Sequence, residues 1–383
     1  MQLPIYLDNA ATTPVAPEVL EAMLPFFTES YGNPATLYSV GMSAREGVNY
    51  AREMIAEALH ATPDEIVFTS GGTESDNAAI KGIVQSYSHK GKHLITSPTE
   101  HPAILEPMET LAKQGYELEF LPVDSEGHID PKELEKRIRR DTLLVSIMHA
   151  NNEIGTIHNI AEVGAICREK EVFFHTDAVQ TFGKLPIDVR KMKIDILSLT
   201  AHKFNGPKGA GALYVRRGIS LARTQEGGEQ EKGRRAGTLN VPGIVGLGRA
   251  TELAYAEIAS ESERLQKLRD KLLKELCEQI PNLHINGSKK NRLSHNAHIS
   301  VERCDGEPIL LALDAVGICA AAGSACHTGS VEPSHVLKAI GLSRELSRGA
   351  IRITLGRDTT EESIDYAVNH FARIVRELRK LAE

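Results

Sequence analysis

The chain has 383 residues, with 44 Lys plus Arg against 51 Asp plus Glu, 41% hydrophobic residues, five cysteines and no tryptophan. That length permits two or three ordinary domains, and a net charge of −7 gives no electrostatic reason to expect nucleic-acid or membrane binding. No 18-residue stretch lacks charge and no basic-then-apolar leader opens the chain, which argues against a membrane span or secretory signal. An odd cysteine count without a CxxC pair or zinc spacing argues against a disulfide framework and for a reducing cytoplasm.

Short apolar runs at 65–70, 93–98, 118–123, 143–150, 172–178, 194–201 and 211–217 predict strands. Amphipathic stretches at 42–60, 74–90, 103–114, 131–139 and 160–170 predict helices between them. This alternation points to an α/β domain with a largely parallel sheet. Near Gly248 the pattern changes. A long charged helical stretch over 249–280 leads to apolar runs at 283–288 and 297–302, then to helical stretches at 307–317 and 361–381. The expected division is a large α/β domain over 15–250 and a smaller α+β domain formed by 1–14 and 251–383.

Polar groups gather just past the predicted strands. In FTSGGTESDNAAI (68–80) a strand enters a Gly-Gly turn and a helix, so the free amides near Gly72 and Thr73 suit one phosphate; a plain cap using Glu74 and Asp76 explains the same residues. TEHPAIL (99–105) places His101, and HANNEIG (149–155) places Asn151, Asn152 and Glu153, beyond two further strands. HTDAVQTFGKLPID (175–188) supplies Asp177 and Gln180; the carboxylate either pairs with a protonated ring nitrogen or caps a helix. In SLTAHKFNGPKGAG (198–211), Lys203 follows a buried strand. Desolvated in a pocket it is a nucleophile for a carbonyl cofactor; on an exposed corner it is surface charge. Pyridoxal phosphate, with a phosphate, a ring nitrogen, a phenolic oxygen and an aldehyde, would use this whole set.

Two later segments add to it. Cys326 lies in AAAGSACHTGSVEPSHVLKAIGL (320–342) among small residues that suit an exposed, mobile loop, where a reactive thiolate or an incidental surface thiol both fit. Cys167, Cys277 and Cys319 sit in apolar or helical runs and read as packing residues, and Cys304 in a polar turn without a partner. Arg352, in the run RITL, can clamp a carboxylate, whereas Arg357 reads as a surface-paired arginine.

The segments YLDNAATTP (6–14), SYGNPATLYSVG (30–41), RRAGTLNVPGIVG (234–246) and IRITLGRDTTEESID (351–365), with those above, resemble cysteine desulfurases of the NifS/IscS type over nearly the whole chain. The resemblance implies the fold-type I aminotransferase architecture, pyridoxal phosphate, a homodimer, L-cysteine as substrate, and delivery of sulfur to an iron–sulfur scaffold or another acceptor protein. It implies that Lys203 binds the cofactor, that Asp177 partners its ring nitrogen and that His101 stacks on the ring and moves protons. Gln180 would face the phenolic oxygen and Asn152 border ring and substrate. Gly72, Thr73, Thr200 and His202 would cradle the phosphate, with Thr238 reaching it from the other subunit. Arg352 would clamp the substrate carboxylate, and Cys326 accept sulfur as a persulfide. No resident metal is implied, and a transient cluster contact at Cys326 is left open. A selenocysteine lyase, or a pyridoxal enzyme without persulfide chemistry, is the alternative. Two departures bear on this reading: His327 replaces a small hydroxylated residue, and RELRKLAE carries no scaffold-docking extension, which leaves the acceptor open.

Overall fold

The computed structural model describes residues 3–322 and 334–382. The chain opens with β1 (Ile5–Tyr6) and the helices α1 (Pro17–Met23), α2 (Pro25–Thr28) and α3 (Ser39–Ala58). Strands and helices then alternate: β2 (Ile66–Thr69), α4 (Gly72–Tyr87), β3 (His93–Thr96), α5 (Pro102–Lys113), β4 (Glu117–Phe120), α6 (Pro131–Arg137), β5 (Thr142–Ser146), α7 (Ile160–Glu169), β6 (Phe173–Asp177), β7 (Ile196–Thr200) and β8 (Gly211–Val215). The pair β9 (Glu229–Gln230) and β10 (Arg235–Ala236) precedes α8 (Val241–Gln279). The remainder is β11 (Leu283–Ile285), β12 (Asn296–Val301), α9 (Gly306–Asp314), β13 (Ile318–Cys319), α10 (His335–Ala339), α11 (Arg344–Arg348), β14 (Ala350–Thr354) and α12 (Glu361–Ala382).

The large sheet has the order β2-β8-β7-β6-β5-β3-β4. Its strands run parallel except β8, which is antiparallel to both β2 and β7. Helices cover both faces, so β5, β7 and β8 are buried at every residue; that is why they read as continuous apolar runs rather than alternating ones. The edge strand β4 instead carries Glu117 and Glu119, charges that discourage edge-to-edge pairing. Because the parallel strands point one way, their last residues and the loops after them share one rim of the sheet, where ligands bind in open α/β folds.

A second core gathers around the antiparallel sheet β11-β12-β14, with α9 and α12 against it. Ile5 and Leu7 join this core, and β1 pairs with β13. Helix α8 serves both cores: Val241, Ile244 and Leu247 pack in the first, Leu265, Leu272 and Leu276 in the second. It begins at Val241 rather than near 249. The early glycines read as a loop, yet they permit close packing: a Cβ on Gly248 would stand 2.5 Å from the Ala51 Cα of α3. No helix among the described residues is long and apolar enough to cross a membrane.

Two expectations for the cysteines change. Cys167 is buried in α7, but Cys277 is exposed on α8 and Cys319 is only half-buried in β13, so neither is a core packing residue. Cys304 does have a contact, a long 3.9 Å approach to the Val375 carbonyl. Periodicity placed Cys277 on a helix but not on its buried face.

Candidate active site

Strand β7 ends at Thr200, and one tight turn, Ala201–Lys203, reverses the chain. The turn brings Lys203 inward. Its Nζ donates to the carbonyls of Ala10 at 2.6 Å and Ala11 at 2.7 Å, supplied by the segment that follows β1. Gln180 Nε2 donates to the same Ala10 carbonyl at 3.1 Å, while its Oε1 is buried without a partner. The exposed-corner alternative for Lys203 therefore fails.

Asp177 closes β6, the neighbouring parallel strand. Its Oδ1 accepts from the Val179 amide at 2.8 Å. Burial pushes its carboxyl up to about 6, while the Val179 amide and Lys203 pull it back toward the ionised form. Beneath it lies a buried polar layer. His175 meets Ser146 Oγ at 2.8 Å and Ser198 Oγ at 3.0 Å, with Asp76 3.7 Å away. Burial, reinforced by Asp177, pushes Asp76 well above the ordinary carboxylate range, and burial also raises Glu100. Burial lowers His175 to about 3. His175 is therefore neutral near pH 7, and Asp177 is the acid of the cluster on which the charge of Lys203 acts.

At the start of α4, Gly71 has φ +154°, a conformation side chains rarely adopt, and a Cβ on Gly72 would stand 2.7 Å from Val179 Cγ2. The first amides of this helix have no partners within it and face an open turn. Glu74 does not fill that turn, because its carboxylate accepts from the Ser70 amide at 2.7 Å and from Arg235 at 2.9 Å. Thr200 Oγ1 lies 3.6 Å from the Gly71 Cβ position and bonds the Ala210 carbonyl at 3.2 Å. His202 Nδ1 meets Thr12 Oγ1 at 3.2 Å.

His101 caps α5, its Nδ1 accepting from the Ala103 amide at 3.1 Å ahead of Pro102. Burial first, then Lys203 and His335, lower it to about 4, so the imidazole is neutral. Asn151 proves to be scaffold: its Oδ1 accepts from the amides of Glu153 and Ile154, and its Nδ2 donates to the Thr99 carbonyl. That loop presents the Asn152 carbonyl to Arg352 Nη1 at 3.1 Å. Arg352, on β14, is 2% exposed and donates from Nη2 to Asp8 Oδ1 at 2.8 Å, with Nε unpartnered. Arg357 is surface-paired with Glu18, as expected. Thr238 is exposed, two residues past β10. Cys326 and His327 lie outside the described residues. Where description resumes, Ser334 Oγ bonds Glu153 at 2.6 Å and His335 Nε2 meets the Glu100 carbonyl at 2.8 Å, beside the same rim.

Sequence reasoning missed Asp8, the Ala10 and Ala11 carbonyls, and the Asp76–His175 layer. Asp8 and both alanines stand inside YLDNAATTP, but nothing in spacing says that a segment nearly two hundred residues away would lie over Lys203. Pyridoxal phosphate fits the resulting donor set. Asp177 is a buried acid that can meet a ring nitrogen, Gln180 Oε1 is buried without a partner among the described residues, the half-buried glycine turn at the start of α4 offers its amides to a phosphate, and Lys203 offers its amine.

Comparison with known proteins agrees with this geometry. The family model for aminotransferase class-V matches residues 5–367. A cysteine desulfurase IscS of Methanosarcina thermophila is 52% identical over 99% of this chain and 93% of its own length. One of Dictyoglomus turgidum is 50% identical over 100% of this chain and 97% of its own length. A solved structure described as a NifS-like protein superposes with a TM-score of 0.92 at 40% identity, covering 98% of this chain and 100% of that one.

Proposed function

The chain belongs to the class-V aminotransferase family and is a pyridoxal phosphate-dependent cysteine desulfurase, and on that premise we propose which of its residues carry the reaction. The observation that carries the assignment is the placement of Asp177 at the end of β6 and of Lys203 in the turn just past the adjacent β7, with the charge of Lys203 opposing the burial of Asp177.

Bound pyridoxal phosphate supplies a carbonyl for the substrate amine and a ring that takes up the electron pair left at Cα. The Lys203 amine binds the cofactor and, once free, takes the Cα proton of L-cysteine. Asp177 would hold the proton on the ring nitrogen, and Gln180 would meet the phenolic oxygen. Gly72, Thr73, Thr200 and His202 would hold the phosphate, with Thr238 of a second copy completing the cradle. The neutral His101 would shield the bound ring from water and move protons between substrate and solvent. Arg352, fixed by Asp8 and the Asn152 carbonyl, orients the substrate carboxylate, and the Asn152 side chain borders ring and substrate.

The Cys326 thiolate then attacks the substrate sulfur. A sulfur–sulfur bond forms, and the substrate carbon–sulfur bond breaks with its electron pair passing to the carbon skeleton. That skeleton takes up protons and leaves as L-alanine. The persulfide passes its outer sulfur to an acceptor protein such as an iron–sulfur scaffold, in the cytoplasm, or two thiols reduce it, releasing sulfide and leaving a disulfide between them.

The test is to mix holoenzyme, L-cysteine and a thiol reductant and to assay sulfide and alanine. Lys203→Ala forms neither, and Cys326→Ala forms no sulfide. Wild-type sulfide release from Cys326→Ala would sink the persulfide step.

The two cores support a large domain over 15–250 and a small one from 1–14 and 251–383. The functional unit is a homodimer. Leu24, Phe27, Tyr31, Leu37 and Tyr38 are all exposed along α1–α3, an apolar patch of the kind that marks a protein interface. Sedimentation checks this: wild type runs as a dimer, and Phe27→Glu with Leu37→Glu shifts it toward monomer and weakens cofactor retention.

A further inference from the structure

A cavity of about 90 Å³ borders Lys203 and is also lined by Asn9, Lys184, His295 and residues of α8. Lys184 shares a turn with Asp177 and Gln180, while His295 immediately precedes β12, so the two meet across the boundary between the cores. The Lys184 amine lies 3.3 Å from His295 Nε2. His295 is 1% exposed and its Nδ1 has no partner among the described residues.

The pair has no counter-ion among the described residues. Lys184 makes no ion pair among the described residues, and the acids that line the cavity are engaged elsewhere. Glu261 is bound by Arg264 at 2.7 Å, and Glu257 lies 3.9 Å from Arg357. The other charges that face the pair are cationic or basic: Lys203 and His202 around Lys184, and Arg269 and Arg352 around His295. Lys184 is half-buried as a residue but protein surrounds its amine, and that enclosure, then Lys203, pushes it down to about 7. His295 is driven well below its ordinary value, chiefly by burial, so it stands neutral beside the Lys184 amine.

Lys203 faces opposite pressures. The Ala10 and Ala11 carbonyls at its Nζ favour the ammonium, the form that can neither bind an aldehyde nor accept a proton. A second amine in the same enclosure works the other way, because two like charges in a site of low dielectric are not both held cheaply. We propose that Lys184, seated on His295, is a positioning residue that acts through Lys203: its charge disfavours a proton on the Lys203 nitrogen and keeps that nitrogen reactive. The proposal rests on the assignment of Lys203 as the cofactor-binding lysine.

The test is a pH titration of the visible absorbance of the bound cofactor in holoenzyme, with melting temperatures to show that each variant folds. Lys184→Gln raises the pH midpoint of that band by about one unit, the scale of a neighbouring charge removed from an enclosed site. Lys184→Met, which keeps the apolar stem, does the same where Lys184→Gln folds poorly. Lys184→Arg, always charged, does not raise it. A purely structural role would lower the melting temperature in all three and move the midpoint alike. An unchanged midpoint in the neutral variants, or an equal rise in Lys184→Arg, would overturn the proposal. Lys203→Ala separates the two assignments: loss of the wild-type band upholds Lys203 whatever Lys184 does, and a retained band removes the premise.

Discussion

Arg352 and Asp8, 344 positions apart in the chain, form an ion pair of 2.8 Å in which the arginine is almost wholly buried and the acid remains partly open. The contact joins β14 to the segment that covers Lys203. It holds the guanidinium in a fixed orientation for the proposed substrate carboxylate.

Three outcomes follow from that pair. Arg352→Lys keeps the charge but loses the planar fork, so kcat/KM for L-cysteine falls about 10- to 100-fold, mainly through KM. Asp8→Asn strands a buried cation and lowers the unfolding free energy by about 2 kcal/mol, reduced from the fully buried case because Asp8 is partly exposed. Adding Arg352→Met to Asp8→Asn restores most of that loss, since the uncompensated charge is gone. Denaturant melts of the single and double variants measure the coupling.

Gly72 tests the phosphate turn. A methyl there cannot avoid the Val179 side chain, which shares its turn with Asp177 and Gln180. Gly72→Ala raises the cofactor dissociation constant at least about tenfold, roughly 1.4 kcal/mol, with a smaller effect on the melting temperature of the apoprotein. Titration of apoprotein with pyridoxal phosphate, followed by visible absorbance, reads both numbers.

Acid stability follows the buried histidines. Burial lowers His149 to about 4, and His158, His175 and His298 to about 3. An unfolded imidazole takes a proton near 6.5 and these do not, so below pH 6.5 the unfolded chain binds protons the folded chain refuses, and stability falls with pH. Asp76, Glu100 and Asp177 act oppositely: their raised values favour the folded chain as pH falls through the same window. His158 isolates the first effect, since both its ring nitrogens lack partners. His158→Phe removes about 1.4 kcal/mol of destabilisation for each pH unit below 6.5 and moves the acid-unfolding midpoint downward, read by circular dichroism.

Much of this site was legible from local sequence because its parts sit just past the ends of β2, β3, β5, β6 and β7, where an apolar run stops and polar residues begin. Lys203, Asp177, His101 and Thr73 are all of this kind, and the alternation of strands and helices already implied a shared rim. What stayed hidden depends on contacts across the chain. Asp8 reaches Arg352 only because β1 pairs with β13 beside β14, and Lys184 meets His295 only because the second core packs against the first. The antiparallel course of β8 was hidden too: a strand buried on both faces has the same apolar run in either direction. Helix α8 was cut short because its glycines oppose helix propensity, while the close approach to α3 favours them.

The central claim is that sulfur leaves L-cysteine on the thiol of Cys326, and the most direct measurement is mass spectrometry of the holoenzyme after one equivalent of L-cysteine per subunit is added with no other thiol present. The account predicts one alanine formed per subunit and the mass of one sulfur atom added to the peptide that contains Cys326, removed again by a thiol. Alanine formed with no sulfur added to the Cys326 peptide, or the added sulfur on another cysteine, would contradict it.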